Sequence, residues 1–216
     1  MTVTSHQTHP IEPNLPAVPT NENTERIFEE AWVMFQQLGY RGTSVDELCQ
    51  RCGITKPTLY YYFGNKETLF IQVLARQLHG FRSILDSDRP LVERLTELTE
   101  AMLTAFKTDI GSMMRDMEHV KDPSLHASMD QSFRRELFDP LTRTMQDGIE
   151  RGELRLNDSE FYAWIFLGLV NTFVRGRARP AHPGFTDDPQ LLAPRLVDFF
   201  FEGARRTPPR AIPCTG

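Results

Sequence analysis

Twenty-four residues, Thr43 to Lys66 (TSVDELCQRCGITKPTLYYYFGNK), limit what this chain can fold into more than any other part of it. They hold two helix starts and two stops in quick succession. Ser44 at the N-cap with Glu47 three residues on makes a capping box, and Gly53 ends that short helix. Thr55-Lys56-Pro57-Thr58 opens a second one, proline being tolerated in a first turn, and Gly64-Asn65 closes it. Two helices this close must cross at a steep angle, with Val45, Leu48, Ile54 and Leu59 filling the space between them. The preceding segment, 23–38, carries Ile27, Phe28, Ala31, Trp32, Met34, Phe35 and Leu38 at helical spacing, ends at Gly39, and supports the pair through Ala31, Trp32 and Phe35. The layout is a helix-turn-helix, whose second helix enters the major groove of DNA.

The rest of the chain reads as helix too. Asn65 caps a fourth helix with Leu69, Phe70, Val73, Leu74, Leu78 and Phe81 on one face. Pro90 opens another, with Leu91, Leu95, Leu98, Met102 and Phe106, and a shorter one covers roughly 110–120. Asp122-Pro123 starts a long helix, apolar at every fourth position from 125 to 149 and kinked at Pro140. Asn157 to Glu160 caps the next, and Asp188-Pro189 begins the last. Strand alternation and internal repeats are absent from the sequence. The expected fold is all-α, with about nine helices. A helix-turn-helix DNA-binding domain spans 21–81, a helical ligand-binding and dimerisation domain spans 82–206, and disordered tails cover 1–20 and 207–216.

A net charge of −5 argues at first against a DNA partner, but local fields decide contact. From Arg41 to Lys66 there are four cations (Arg41, Arg51, Lys56, Lys66) against two anions (Asp46, Glu47), whereas Asn21 to Tyr40 holds four glutamates and one arginine. Positive charge therefore collects on the reading unit. The three cysteines, Cys49, Cys52 and Cys214, are a poor disulfide framework. An N-terminus without a basic start and apolar core is no secretory signal, and no apolar run is long enough for a bilayer. The expected location is the cytoplasm. Nucleophile elbows, phosphate loops, dinucleotide fingerprints and HExxH pairs are all missing, so the chain is expected to be no enzyme and to need no metal or cofactor.

Ile27, Ala31, Phe35, Gly39-Tyr40, Thr43-Ser44-Val45, Leu48, Gly53-Ile54-Thr55, Thr58-Leu59-Tyr60-Tyr61, Phe63 and Lys66-Glu67-Thr68-Leu69 stand at spacings that resemble the DNA-binding domain of the TetR family of transcription regulators. The resemblance covers roughly residues 21–81. It implies a larger C-terminal helical domain for dimerisation and ligand binding, and phosphate contacts from Tyr60, Tyr61 and Lys66. The residues themselves add to this. Thr55, Lys56, Pro57 and Thr58 sit at a helix N-terminus, which welcomes phosphate. Lys56, without acidic neighbours in sequence, can reach a guanine edge or a phosphate. Thr58 suits a thymine methyl, and Pro57 either does likewise or only fixes the turn. Lys66 opposes the dipole of the helix it begins, which a phosphate contact would explain. Thr43 and Ser44 cap the second helix and can add phosphate contacts. Cys49 and Cys52 form a C-x-x-C, read as small buried residues or, alternatively, as a redox switch.

In the C-terminal half, Met102, Phe106, Met113, Met117, Phe133 and Trp164 are candidates for an apolar effector pocket. Residues 158–175 and the last helix are apolar nearly all round. Phe161, Ile165, Gly168, Thr172, Leu196 and Phe200 are therefore candidates for a two-fold interface built as a four-helix bundle. The expected protein is a homodimeric repressor on double-stranded operator DNA, released by a small, largely apolar effector. The alternative is a DNA-binding regulator controlled by a protein partner or by thiol oxidation at Cys49 and Cys52.

Overall fold

A computed structural model describes residues 20–106, 115–116, 118–176, 186 and 188–204. Among them are eight helices and no strand. The helices are α1 (Glu22–Gly42), α2 (Val45–Cys52), α3 (Lys56–Phe63), α4 (Lys66–Leu85), α5 (Leu91–Ala105), α6, α7 (Ser159–Gly176) and α8 (Pro189–Ala204). α6 runs through three consecutive segments, Pro123–Phe133, a π-helical turn Arg134–Phe138, and Asp139–Glu150. The expected short helix near 110–120 falls largely outside the described residues.

Local chemistry sets most of the helix starts. Asn21, Ser44, Thr55, Asn65 and Asp122 each accept a first-turn N–H on the side chain, satisfying a donor the helix leaves open. Asp158 does the same ahead of α7, as does Asp188 ahead of α8. The capping box at Ser44 is half made. Its hydroxyl takes the Glu47 N–H, while the Glu47 carboxylate turns to Arg51 at 2.6 Å.

The irregularity expected at Pro140 is the π turn just before it. In an unbroken α-helix the proline ring would strike the carbonyl of Glu136; a wider turn at Arg134–Phe138 relieves the clash. The predicted stripe faces inward on both sides of that turn and, at Leu137, within it. Leu125, Met129, Leu137, Leu141 and Met145 are buried, and Phe133 and Ile149 pack against them.

α1, α2 and α3 form the N-terminal head. α4 begins against α1 and α3 and continues along α5 and α6, so one helix belongs to both parts of the molecule. α5 packs on α8 and α7, and the second half of α6 lies along α7.

Candidate nucleic-acid interface

The reading head is built from a few apolar anchors. Leu48, Cys49 and Cys52 of α2 and Leu59 and Phe63 of α3 are buried with Ile27, Ala31, Met34 and Phe35 of α1. Phe28 meets Phe63 edge-on at 5.3 Å. Between α2 and α3, Gly53 takes φ 61, ψ 33, a left-handed conformation that costs glycine little. Trp32 does not support this pair as expected; it packs edge-on against Phe106, at 5.5 Å, at the C-terminal end of α5.

With Leu59 and Phe63 facing in, the opposite side of α3 faces solvent. Thr55, Lys56, Pro57, Tyr60 and Tyr61 are exposed, Tyr61 to 83%, while Thr58 and Tyr62 are half-buried. Of the three consecutive tyrosines, Tyr62 is the one turned toward the core. Thr55 and Thr58 share a hydrogen bond through their hydroxyls at 2.9 Å, which leaves the Thr58 methyl as its apolar contact. Ser44 is exposed at the start of α2. Thr43 is not available: it is buried, and its hydroxyl donates to the Gly39 carbonyl at 2.8 Å, closing α1 rather than capping α2.

The two head lysines have internal partners the sequence did not reveal. Lys56 is not short of acidic neighbours. Its ammonium lies 2.8 Å from the Asp46 carboxylate, and that bond holds its pKa above the usual lysine value. Lys66 is half-buried with its ammonium 4.5 Å from the centre of the Tyr40 ring, a cation–π contact that offers a second reason for a cation at a helix start. Burial lowers its pKa, and the Asp116 carboxylate opposes that fall.

The C-x-x-C pair reads as core. Both thiols are buried and unbridged. Burial raises both above the usual thiol value, Cys52 to about 11, with Glu30 adding to the rise. A thiolate is the reactive form, so these are poor redox sensors. Among the described residues no cluster of His, Cys, Asp and Glu could hold a metal.

The C-terminal candidates divide. Met102 and Phe106 are buried on α5, Phe106 against Trp32 and Phe81 at the junction with the head. Phe133 and Trp164 meet elsewhere, with Phe138, which stands 4.6 Å from Trp164 and 5.8 Å from Phe133. Met113 and Met117 lie outside the described residues. On α7, Phe161, Trp164, Ile165, Gly168 and Thr172 form one exposed stripe. On α8 the expectation is off by one face. Leu196 and Phe200 are buried in their own chain, Phe200 against Tyr162 and Phe166, and the outward apolar residues are Leu191 and Phe199.

Two short capped helices about a glycine turn, the second with a solvent-facing polar and aromatic surface, define a helix-turn-helix DNA-binding regulator. Residues 27–73 match the sequence profile described as bacterial regulatory proteins, tetR family. Over 116 residues, half of this chain and 59% of the relative, it is 31% identical to the HTH-type transcriptional repressor BdcR of Escherichia coli (strain K12). The chain therefore spans about three fifths of that relative. The solved structure of the TetR family regulator PfmR from Thermus thermophilus aligns with a TM-score of 0.65 at 25% identity, over 84% of this chain and all of that one. AibR, solved with isovaleryl coenzyme A and operator DNA, shares the fold with a TM-score of 0.64 at 23% identity, over 83% of this chain and 98% of that one. Residues 27–73 thus carry a segment of the tetR-family type, and the chain shares its fold with TetR family transcription regulators.

Proposed function

We propose that this protein is a cytoplasmic homodimeric repressor that holds operator DNA until a small, largely apolar molecule occupies its C-terminal domain. The observation that carries the reading is α3. Its buried side is fully used by Leu59 and Phe63, and its leading residues are left to solvent. In this reading Thr55, Lys56, Pro57 and Thr58 meet base edges and the adjoining backbone, and Ser44, Tyr60, Tyr61 and Lys66 hold phosphates. Two such helices must lie about 34–36 Å apart, or a multiple of it, to enter successive grooves. Phe161, Ile165, Gly168 and Thr172 on α7, with Leu191 and Phe199 on α8, are the surface that would pair two copies.

The repressor assignment is supported by the resemblance to BdcR, and an effector by AibR, whose structure holds isovaleryl coenzyme A together with operator DNA. The aromatic group Phe133, Phe138 and Trp164 supplies an apolar wall for such a ligand. A ligand releases DNA only by binding better to the state that does not fit it.

The test is selection of bound duplexes from a random library, followed by release of the winning duplex by acyl-coenzyme A thioesters and free carboxylic acids. Enrichment of a near-palindrome and its release by one compound class is the expected result. A pool without a common sequence would defeat the DNA-reading assignment. Enrichment without release by any compound would defeat only the effector.

A further inference from the structure

The corner between α1 and the DNA-reading helices is held from outside the head. The backbone N–H of Tyr40 donates to the Asp116 carboxylate at 2.7 Å, across 76 residues of sequence. The corner exists because Gly39 leaves the helical conformation, at φ 69 and ψ 175. A β-carbon on Gly39 would stand 3.0 Å from the same Asp116 oxygen. The glycine therefore supplies both the positive φ and the space the carboxylate fills. The Tyr40 ring in turn lies beneath the Lys66 ammonium. A carboxylate from beyond α5 thus sits on the backbone N–H of Tyr40, the residue whose ring lies against the half-buried Lys66 ammonium.

This is the environment a DNA phosphate looks for, since phosphate oxygens are held by backbone N–H groups and by lysine. We propose that Asp116 acts as an internal competitor for phosphate, neutralising Lys66 and occupying the Tyr40 N–H so that operator DNA gains less from this corner than the lysine alone would give. The inference rests on the assignment of Lys66 to phosphate. Asp116 makes no base contact in this account; it is a positioning residue that acts through Lys66 and Tyr40. It also gives the C-terminal part of the chain a direct electrostatic hold on the DNA-binding surface.

Asparagine at 116 keeps an oxygen acceptor for Tyr40 and removes the charge. The experiment titrates a fluorescein-labelled random-sequence duplex with the full chain carrying Asp116→Asn, Lys66→Met, or both, over a range of salt. Asp116→Asn is expected to tighten binding about three- to fivefold at low salt, the size of a partly screened charge. It should also steepen the salt dependence by up to about one unit of slope. Most of that gain should vanish in the Lys66→Met background. If Lys66→Met leaves affinity and slope unchanged, the phosphate assignment of Lys66 fails. If Lys66→Met weakens binding but Asp116→Asn gives no gain, weakens binding, or gives the same gain in both backgrounds, Asp116 is not a competitor for that lysine. Asp116→Ala guards against a fold effect. It should lower the melting temperature more than Asp116→Asn, because only alanine strips the Tyr40 N–H of its partner.

Discussion

Phe199→Ser should dissociate the proposed dimer while leaving the fold of each copy intact. Phe199 exposes 65% of its surface in the single chain. Burying a whole phenylalanine side chain is worth about 1.5–3 kcal/mol, so covering the exposed two thirds yields about 1–2 kcal/mol. A two-fold interface contains the residue twice. The loss is then about 2–4 kcal/mol per dimer, or roughly 30- to 1,000-fold in dissociation constant. Sedimentation equilibrium over a wide concentration range reads this directly. The neighbouring position is the control. Phe200 is buried against Tyr162 and Phe166, so Phe200→Ala should cost about 3–5 kcal/mol of folding stability. Phe199→Ser should stay within about 0.5 kcal/mol in the monomer. An unchanged dissociation constant for Phe199→Ser, with a folding midpoint lowered as far as that of Phe200→Ala, would refute the division between an inner and an outer face of α8.

Three further outcomes follow from the geometry. Lys56→Ala should change which bases are preferred in a selected operator if the lysine reads a guanine edge, whereas equal loss on every sequence, measured by competition binding, would assign it to phosphate. With its pKa near 11, Cys52 should hold only about one thiolate per thousand at pH 8. In a Cys214→Ser background the native protein should therefore react slowly with a disulfide reagent and quickly once unfolded in urea; rapid labelling of Cys52 in the native state would contradict the burial. Asp122 accepts from both the backbone and the hydroxyl of Ser124, which hold its carboxyl below the ordinary value of 3.8. A depressed folded-state pKa gives stability that is present above the ordinary value and lost as pH falls through the folded one. Denaturant midpoints of the native chain and Asp122→Asn should accordingly converge below about pH 3.8, and a gap that widens there would contradict the cap.

What could be read beforehand was what is local. Ser44, Thr55 and Asn65 mark helix starts because a cap needs only the next three residues. Leu59 and Phe63 fall on one face because they are four apart. Cys49 and Cys52 share their buried face with Leu48 for the same reason. Contacts between elements were not legible. Nothing near Lys56 in sequence says that Asp46, at the start of another helix, returns to it, and nothing near Tyr40 points to Asp116. The error on α8 has a different origin. Phe199, Phe200 and Phe201 stand in a row on a helix with little polar surface to orient it, so periodicity cannot choose which stripe faces in. Leu196 and Phe200 took the core, and Leu191 and Phe199 were left outside.

The Asp46–Lys56 bond bears on how such a protein spends its time in a cell. A chromosome offers about a million or more competing registers to any cation that clings to phosphate. A lysine that already holds a carboxylate at 2.8 Å presents part of its charge already offset, so in the proposed reading each of those registers would gain less from Lys56 than from an unpaired lysine.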